Sequence, residues 1–326
     1  MPSPTSSMLE GGLGRPILKA TLFQNRTGVI ALAILCCLLW GSAYPAVKTG
    51  YALLGISASD LAGQILFAGQ RFALAGAILL MVALGLGKAI IRVSPRQWVQ
   101  IALLGLTQTS LQYVFFYIGL AHATGVKAAI TNSTVVFFSV VLAHLIYADD
   151  RLTARKLLGC LIGFAGVVVV NLNKGGLGLE SSLLGEGFLV IAALVLAAAS
   201  IFGKRVSRQV DPIVMTAWQL LLGGLVLMAL GMGTGGQIRP LDAASGSLLA
   251  YLALLSSIAF AVWSLLLKHN PVGLLAPFNF LIPVFGVALS AIFLNESLWH
   301  WRYLAALVLV CGGIWLVTRA PRSAKP

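Results

Sequence analysis

An arginine and several amides lie within the most apolar parts of this chain. Arg71 lies inside the run LFAGQRFALAGAILL, and Gln108 and Gln112 are four residues apart in LTQTSLQYVFFYIGL. A guanidinium can bind a carboxylate or phosphate through two parallel hydrogen bonds, and an amide both donates and accepts. These residue types therefore predict a site for a small anionic or zwitterionic molecule. A structural role for Arg71, in which it bonds carbonyls at helix ends or reaches the nearer interface, is equally open.

Other polar and aromatic side chains in apolar runs extend this predicted site. Pro45, in WGSAYPAVK, cannot donate a backbone hydrogen bond to the carbonyl of Gly41, so it favours a kink beside protein or a wet cavity. Pro277 and Pro283 predict a hinge where they flank Asn279. The alternatives are an interface position for Trp40 and interhelical hydrogen bonding by the amides. The further candidates for substrate binding or cavity lining are Trp40, Ser42, Tyr44, Tyr113, Asn132, Gln219, Trp263 and Asn279.

Acidic and metal-binding groups are missing from the predicted spans. The nine acidic residues fall in tails, loops or helix ends, so a proton relay or a site for a cationic drug has no mid-span carboxylate. His144 is the best remaining candidate for a proton site, with a simple packing role as the alternative. The four cysteines lie inside apolar runs without metal-site spacing, so we expect no metal and no cofactor.

The elements that must position these residues are long apolar segments. Hydrophobic residues make up 59% of the chain and charged residues only 10%, which is too little charge for the surface of a soluble domain. Runs of this length can cross the hydrocarbon core of a bilayer as helices. The sequence therefore predicts an all-α polytopic membrane protein with ten spans, at about 28–48, 62–86, 97–120, 126–147, 155–171, 185–205, 212–233, 248–268, 273–294 and 302–318.

The net charge is +13, and the distribution of the basic residues along the chain indicates how the protein is oriented in the membrane. If the N-terminus is cytoplasmic, most Lys and Arg residues lie on the cytoplasmic side, as the positive-inside rule requires. This distribution predicts a multi-pass protein with both termini in the cytoplasm, and it does not favour a nucleic-acid partner. The residues left on the other side are Lys48, Lys127, Lys174, Arg239 and Arg302.

An internal repeat relates the two halves. A shift of 147 residues pairs Asn132 with Asn279, and a shift of 148 residues pairs Gly76 with Gly224. Five spans per half place the second half upside down, which is a common plan of secondary transporters. The predicted organisation is a disordered cytoplasmic tail (1–27), a first repeat (28–171), a periplasmic linker (172–184), a second repeat (185–318) and a cytoplasmic tail (319–326).

The chain resembles the drug/metabolite transporter superfamily, in its ten-helix branch of two EamA repeats. The matching features are Trp40-Gly41, the arginine of AGQRFALAGAILL, an acidic residue after helices 4 and 9, and RKLLGCLIGFAGVVVV. The resemblance implies transport of small organic molecules without ATP, often export, across a bacterial inner membrane. One departure is that the proline of helix 9, Pro283, has Val136 as its counterpart in helix 4.

These observations favour a secondary transporter that exports a neutral, zwitterionic or anionic amino-acid-like metabolite by alternating access. The alternatives are a membrane scaffold or sensor without transport, and multidrug efflux of lipophilic compounds. An enzyme is not expected, because the spans contain no nucleophile–base pair and no carboxylate dyad. The expected partners are a small-molecule substrate and the bilayer. The stripe of Gly159, Gly163 and Gly166 fits packing within a monomer, with a weak homodimer as the alternative.

Overall fold

Ten helices form the part of the chain that the computed structural model describes, which is residues 22–57, 59–122, 131–171, 183–293 and 301–318. The predicted all-helical fold and the number of helices are confirmed. Residues 1–21 and 319–326 of the predicted tails, and most of the predicted linker, lie outside the described residues. The helices are α1 (Arg26–Leu54), α2 (Leu61–Gly85), α3 (Pro95–His122), α4 (Val135–Ile146), α5 (Ala154–Asn171), α6 (Leu183–Val206), α7 (Pro212–Gly233), α8 (Ala243–His269), α9 (272–293) and α10 (Trp301–Thr318).

Six of the described helices, α1, α2, α3, α6, α7 and α8, are long and apolar enough to cross a membrane. Much of their outward surface is also apolar, and large side chains such as Leu145 (73%) and Met81 (64%) are exposed. Contiguous exposed apolar surface of this kind requires a nonpolar surrounding. The remaining helices are shorter, and α4 has only twelve residues. Helix α1 extends to Leu54, six residues past its predicted end, and it passes through Pro45 without a break.

Several helices begin at acidic residues because a carboxylate can accept hydrogen bonds from the free backbone N–H groups of the first turn. Asp60 accepts from the N–H of Gly63 at 2.8 Å before α2, and Asp242 accepts from the N–H of Ser245 at 2.8 Å before α8. The hydroxyl and N–H of Ser245 hold the pKa of Asp242 below its usual value. At the other end of α1, Gly55 adopts a left-handed conformation (φ 60°) that closes the helix.

Glycines bring the helices of two pairs into close backbone contact. A Cβ atom added to Gly76 in α2 would lie 2.7 Å from the carbonyl oxygen of Ala217 in α7. A Cβ added to Gly159 in α5 would lie 2.7 Å from the carbonyl oxygen of Gly313 in α10. The stripe of Gly159, Gly163 and Gly166 therefore packs on α9 and α10 of the same chain. Around these pairs, α1 packs on α8 and α9, and α6 packs on α3 and α4.

Polar bonds tie helix ends together on both sides of the bundle. We call the side on which α1 begins the N-terminal face, and the other side the distal face. On the N-terminal face, the amide of Asn270 after α8 donates to the carbonyl of Phe23 at 2.9 Å. On the distal face, Arg239 after α7 donates to the carbonyl of Leu54 at 2.7 Å and to Asp60 at 3.1 Å.

Candidate functional site

A cavity of about 390 Å³ lies between α1, α2, α3, α4, α6, α8 and α9. This volume suits a small metabolite, since pockets for small ligands span about 300–1,000 Å³. The lining combines cationic, amide, hydroxyl and aromatic groups with a few aliphatic ones. Its polar and aromatic members are Trp40, Tyr44, Lys48, Tyr51, Arg71, Gln108, Gln112, Tyr113, Phe116, Tyr117, Asn132, Ser133, Ser139, Ser200, Phe260, Trp263 and Asn279.

The cavity extends from the middle of the bundle towards the distal face. Helix α3 lines it from Gln108 to Leu120, close to its distal end, and α1 lines it from Trp40 to Tyr51. Towards the N-terminal face, the lining of α6 stops at Ser200 and that of α8 stops at Trp263. The cavity therefore lies in the central and distal parts of the bundle.

Polar bonds join helix ends on the N-terminal side of the cavity. The carboxylate of Asp150, after α4, accepts from the ammonium of Lys156 at 2.6 Å and from the N–H of Gly273 at 2.8 Å. Lys204 near the end of α6 donates to the carbonyl of Asn270 after α8. These bonds connect five helices, α4, α5, α6, α8 and α9, on the N-terminal side of the cavity, beyond the last lining residues of α6 and α8.

Arg71 lies on α2 in the wall of the cavity, and only 5% of its surface is exposed. Its Nε donates to the hydroxyl of Ser256 on α8 at 2.8 Å, and that hydroxyl donates to the carbonyl of Leu252 at 2.8 Å. The guanidinium carbon lies 5.0 Å from the ring centroid of Phe72. Among the described residues, the two terminal nitrogens have no hydrogen-bond acceptor. Nε is therefore anchored, and the outer donors of the fork are free for a ligand.

Four amides line the same cavity, and two of them lie in segments where the backbone departs from the α-helix. Gln108 lies in a π-helical segment of α3 (Gly105–Leu111), and Gln112 is the next residue after it. Asn279 lies in a 3₁₀ segment of α9 (Ala276–Phe280), and Asn132 precedes α4 beside a turn. The Oδ1 atom of Asn132 is buried without a hydrogen-bond partner among the described residues. Such irregular backbone is frequent at functional sites of membrane helices.

Aromatic rings form the wall nearest the N-terminal face. The ring of Trp40 meets Phe260 at 5.5 Å and Trp263 at 5.3 Å between centroids, both edge to face. The indole N–H of Trp40 is buried without an acceptor among the described residues. The ring of Tyr113 contacts that of Phe72 at 4.6 Å between centroids in a tilted arrangement, and Phe72 also faces the guanidinium of Arg71. The cavity thus combines a cationic wall with an apolar one.

Most of the predicted site residues are brought together, but two are not. Ser42 points away from the cavity: its hydroxyl donates to the carbonyl of Leu39 at 2.8 Å and lies 2.7 Å from the hydroxyl of Tyr251. Gln219 is 1% exposed at the contact of α7 with α3, where it donates to Thr109 at 3.4 Å. Both were expected from polarity alone, which does not fix the direction in which a side chain points along a helix.

The predicted hinge and proton-site residues have different surroundings. Pro283 lines the cavity, whereas Pro45 and Pro277 are buried beside it and do not line it. Pro277 is the second residue of the 3₁₀ segment of α9. His144 is exposed near the N-terminal face, and its Nδ1 accepts from the N–H of Leu152 at 3.2 Å. It is remote from the cavity lining, and its predicted role in proton transfer stays a prediction.

Sequence reasoning missed several lining residues that a helical pattern could have found. Trp40, Tyr44, Val47 and Tyr51 recur every three or four residues along one face of α1, and all four line the cavity. Lys48 lies four residues after Tyr44 and adds a second cation to the wall. From the sequence, Lys48 was predicted only to be one of the few basic residues on the non-cytoplasmic side.

The described lining contains two cationic side chains and no carboxylate. An anionic group in this cavity would face the donors of Arg71 without competition from a protein acid. A mostly apolar cavity with a few convergent polar groups is typical of small-molecule sites, and transporters place such sites between membrane helices near the midplane.

The chain belongs to the EamA-like transporter family. The family profile matches residues 27–172 and again residues 183–319, so the two matches together cover most of the chain. It is a multi-pass membrane protein, as the apolar helices and the inner-membrane relatives indicate. The resemblance stated from the sequence is confirmed.

Two curated relatives match nearly the whole chain. An uncharacterized transporter of Bacillus subtilis (strain 168), YvbV, is 29% identical over 93% of this chain and 94% of its own length. A protein of Escherichia coli (strain K12) described as a probable amino-acid metabolite efflux pump is 27% identical over 89% of this chain and 94% of its own. A solved crystal structure, 20% identical, shares the fold with a TM-score of 0.76 over 90% of this chain and 97% of that chain.

Proposed function

We propose that this protein is a secondary transporter of a zwitterionic, anionic or neutral amino-acid-like metabolite. The observation that carries the proposal is the position of Arg71, whose outer donors face a cavity without a carboxylate in its described lining. A substrate carboxylate would accept two parallel hydrogen bonds from this fork. The amides of Gln108, Gln112 and Asn132 would bind the remaining polar atoms of the substrate.

The charge of the cavity argues against lipophilic cations. A desolvated cation needs a counter-charge, because an unpaired buried ion is heavily penalised. The rings of Trp40 and Trp263 could contribute about 2 kcal/mol of cation–π attraction when desolvated. Repulsion from Arg71 and Lys48 opposes this attraction. Multidrug efflux of cations is therefore the weaker candidate.

We further propose that transport runs outwards, across the inner membrane. The support is the Escherichia coli relative, whose description names efflux of an amino-acid metabolite. The basic residues of the N-terminal face, including Lys156, Lys204 and Arg208, favour a cytoplasmic position for that face and for both termini. The cavity then extends towards the periplasm.

The proposed mechanism is alternating access between two halves related as inverted repeats. Two matches of one family profile support this mechanism. It is also supported by pairs of helix contacts in which each residue of one contact, moved by the repeat distance, gives a residue of the other contact. A Cβ on Gly69 would lie 2.9 Å from the carbonyl oxygen of Gly224, and a Cβ on Gly76 would lie 2.7 Å from that of Ala217. A shift of 148 residues relates the two contacts, because it takes Gly69 to Ala217 and Gly224 to Gly76.

The second close helix pair follows the same rule. Gly159 contacts Gly313, and Gly166 contacts Ala306, and a shift of 147 residues exchanges the two contacts. The contacts of α1 with α8 and α9 likewise correspond to those of α6 with α3 and α4. In this proposal Pro45, Pro277 and Pro283 allow the bending that opens one side and closes the other.

Uptake into proteoliposomes tests the proposed class. Purified protein should accumulate one or more labelled amino acids above protein-free liposomes, whereas a scaffold or sensor would accumulate none. Growth of a host without its own exporters separates the two transport candidates. The protein should protect against toxic amino-acid analogues, and protection against quaternary ammonium dyes alone would contradict the proposed substrate class.

Reporter fusions test the proposed orientation separately. A reporter fused after Lys174 should be periplasmic, and one fused after Arg208 should be cytoplasmic. Fusions with the reverse pattern would contradict both the orientation and the inverted repeat.

A further inference from the structure

A second recess lies outside the transport cavity, on the outer surface between α4 and α6. Its volume is about 430 Å³, and its lining is apolar along the helices and basic at the N-terminal face. The lining residues are Leu142, Ile146, Tyr147, Ala198, Ile201, Phe202, Arg205 and Arg208. We call this recess the α4–α6 groove.

The basic end of the α4–α6 groove has no acidic ion-pair partner among the described residues. Arg205 and Arg208 are both exposed, and neither forms an ion pair with a carboxylate of the described residues. The nearby acid Asp149 is also exposed and forms no ion pair with them. Lys204, next to Arg205 in the chain, is buried and donates to the carbonyl of Asn270. The two arginines are therefore the cations at this end that are available to an anion.

Tyr147 fixes the geometry of this end. Its hydroxyl donates to the carbonyl of Ile201 at 3.3 Å, which joins the end of α4 to α6. The guanidinium carbon of Arg208 lies 5.8 Å from the centroid of the Tyr147 ring on one side of the groove. A tyrosine beside basic side chains is typical of the level of lipid headgroups.

The rest of the α4–α6 groove is apolar and continues along the two helices away from the N-terminal face. Ile146 is 57% exposed, and the neighbouring Leu145 on α4 is 73% exposed. Leu142 and Phe202 continue the apolar lining below the arginines. A ligand here must therefore be anionic at one end and apolar along its length.

We propose that the α4–α6 groove binds an anionic phospholipid. Arg205 and Arg208 bind its phosphate, and one acyl chain lies along the apolar lining beneath them. Charge complementarity selects the headgroup, because basic recesses between membrane helices attract anionic lipids. The apolar length of the groove selects a lipid over free phosphate. The site does not depend on the transport activity proposed above.

The test is a titration of the purified protein with phosphatidylglycerol, and in parallel with phosphatidylcholine, followed by native mass spectrometry. The wild-type protein should bind phosphatidylglycerol more tightly than phosphatidylcholine. Each basic residue near a membrane surface contributes about five-fold, so the double variant Arg205→Gln/Arg208→Gln should bind phosphatidylglycerol about thirty-fold more weakly. Its affinity for phosphatidylcholine should change little.

A matched control carries the same change of charge on the same face. Arg92→Gln/Arg96→Gln removes two exposed arginines, one between α2 and α3 and one in the first turn of α3, both outside the groove lining. This control should bind phosphatidylglycerol within about two-fold of the wild type. An equal loss in both double variants would show general attraction by a basic face and would overturn the proposal.

A second pair of variants tests the acyl-chain part. Ala198→Trp should fill the groove and weaken phosphatidylglycerol binding while both arginines remain, whereas Leu194→Trp, one turn earlier on α6 and outside the lining, should not. Inorganic phosphate should not displace the lipid. Tight binding by Ala198→Trp, or displacement by phosphate, would overturn the proposal of a lipid site.

Discussion

Two buried charged side chains in this molecule, Asp150 and Arg71, differ in how many of their hydrogen-bonding groups have a partner in the protein. Asp150 at the N-terminal face is 3% exposed and accepts from both an ammonium and a backbone N–H. Arg71 in the cavity is 5% exposed, and among the described residues only its Nε has a hydrogen-bond partner. Their burial is similar, and their hydrogen bonding is not.

This difference separates a structural charge from a ligand-binding one. The partners of Asp150 come from α5 and α9, so its charge joins helices whether or not a substrate is present. The donors of Arg71 that remain free face a space that can hold a small molecule. Changes at the two positions should therefore affect different measurements, stability for Asp150 and transport for Arg71.

The largest expected effect is on stability, at Asp150. Asp150→Ala removes the anionic partner of the Lys156 ammonium, which keeps only the carbonyl of Arg151, and leaves the N–H of Gly273 without its acceptor. Loss of one member of a buried ion pair costs about 3 kcal/mol in the free energy of unfolding. Thermal unfolding in detergent should show a clear fall in Tm. The control Asp149→Ala, at an exposed neighbour without an ion pair, should stay within about 0.5 kcal/mol. Equal Tm values for the two variants would contradict the structural role of Asp150.

The next effect is on transport, at Arg71. Arg71→Ala should insert and fold, with a Tm near that of the wild type, because the helix loses one hydrogen bond to Ser256. Its transport should fall by about 30- to 100-fold, as the loss of hydrogen bonds to a charged group predicts. Failure of Arg71→Ala to accumulate in the membrane would instead support the structural role for this residue.

Replacement of Arg71 by lysine sharpens the comparison between charge and geometry. Arg71→Lys keeps the positive charge but lacks the planar fork that binds both carboxylate oxygens. Transport should fall by about ten-fold, although the charge of the cavity is unchanged. The check is the initial rate of uptake into proteoliposomes at matched protein content. Full activity of Arg71→Lys would show that charge alone is sufficient.

The smallest effect is expected at Lys48, the exposed cation of the cavity wall. Lys48→Gln should raise the KM by about two- to three-fold at low ionic strength, because a cation near the entrance attracts an anionic substrate. The effect should disappear at high salt, where exposed charges are screened. A KM change that is independent of salt would indicate direct contact with the substrate.

The sequence predicts much of the fold because hydrophobic length and repeat spacing leave few alternatives for a chain this apolar. It does not predict the environment of each polar group. Ser42 and Gln219 have the same polarity as the lining residues, but Ser42 bonds to Leu39 in its own helix and to Tyr251 in α8, and Gln219 bonds to Thr109 in α3, all outside the cavity. The bond from Asp150 to Gly273 joins residues far apart in the chain, so no local pattern contains it. The π and 3₁₀ segments that carry Gln108 and Asn279 also follow from packing.

The most direct test of the account compares an amino acid with the amine that lacks only its carboxylate. Competition for uptake into proteoliposomes is measured for both compounds, in the wild type and in Arg71→Ala. If Arg71 binds the carboxylate, the wild-type protein should prefer the amino acid by about 30-fold or more, and Arg71→Ala should reduce that preference to about three-fold or less. The same preference in both proteins would show that Arg71 does not bind the carboxylate of the substrate, and it would contradict the central claim that this arginine is the carboxylate-binding residue.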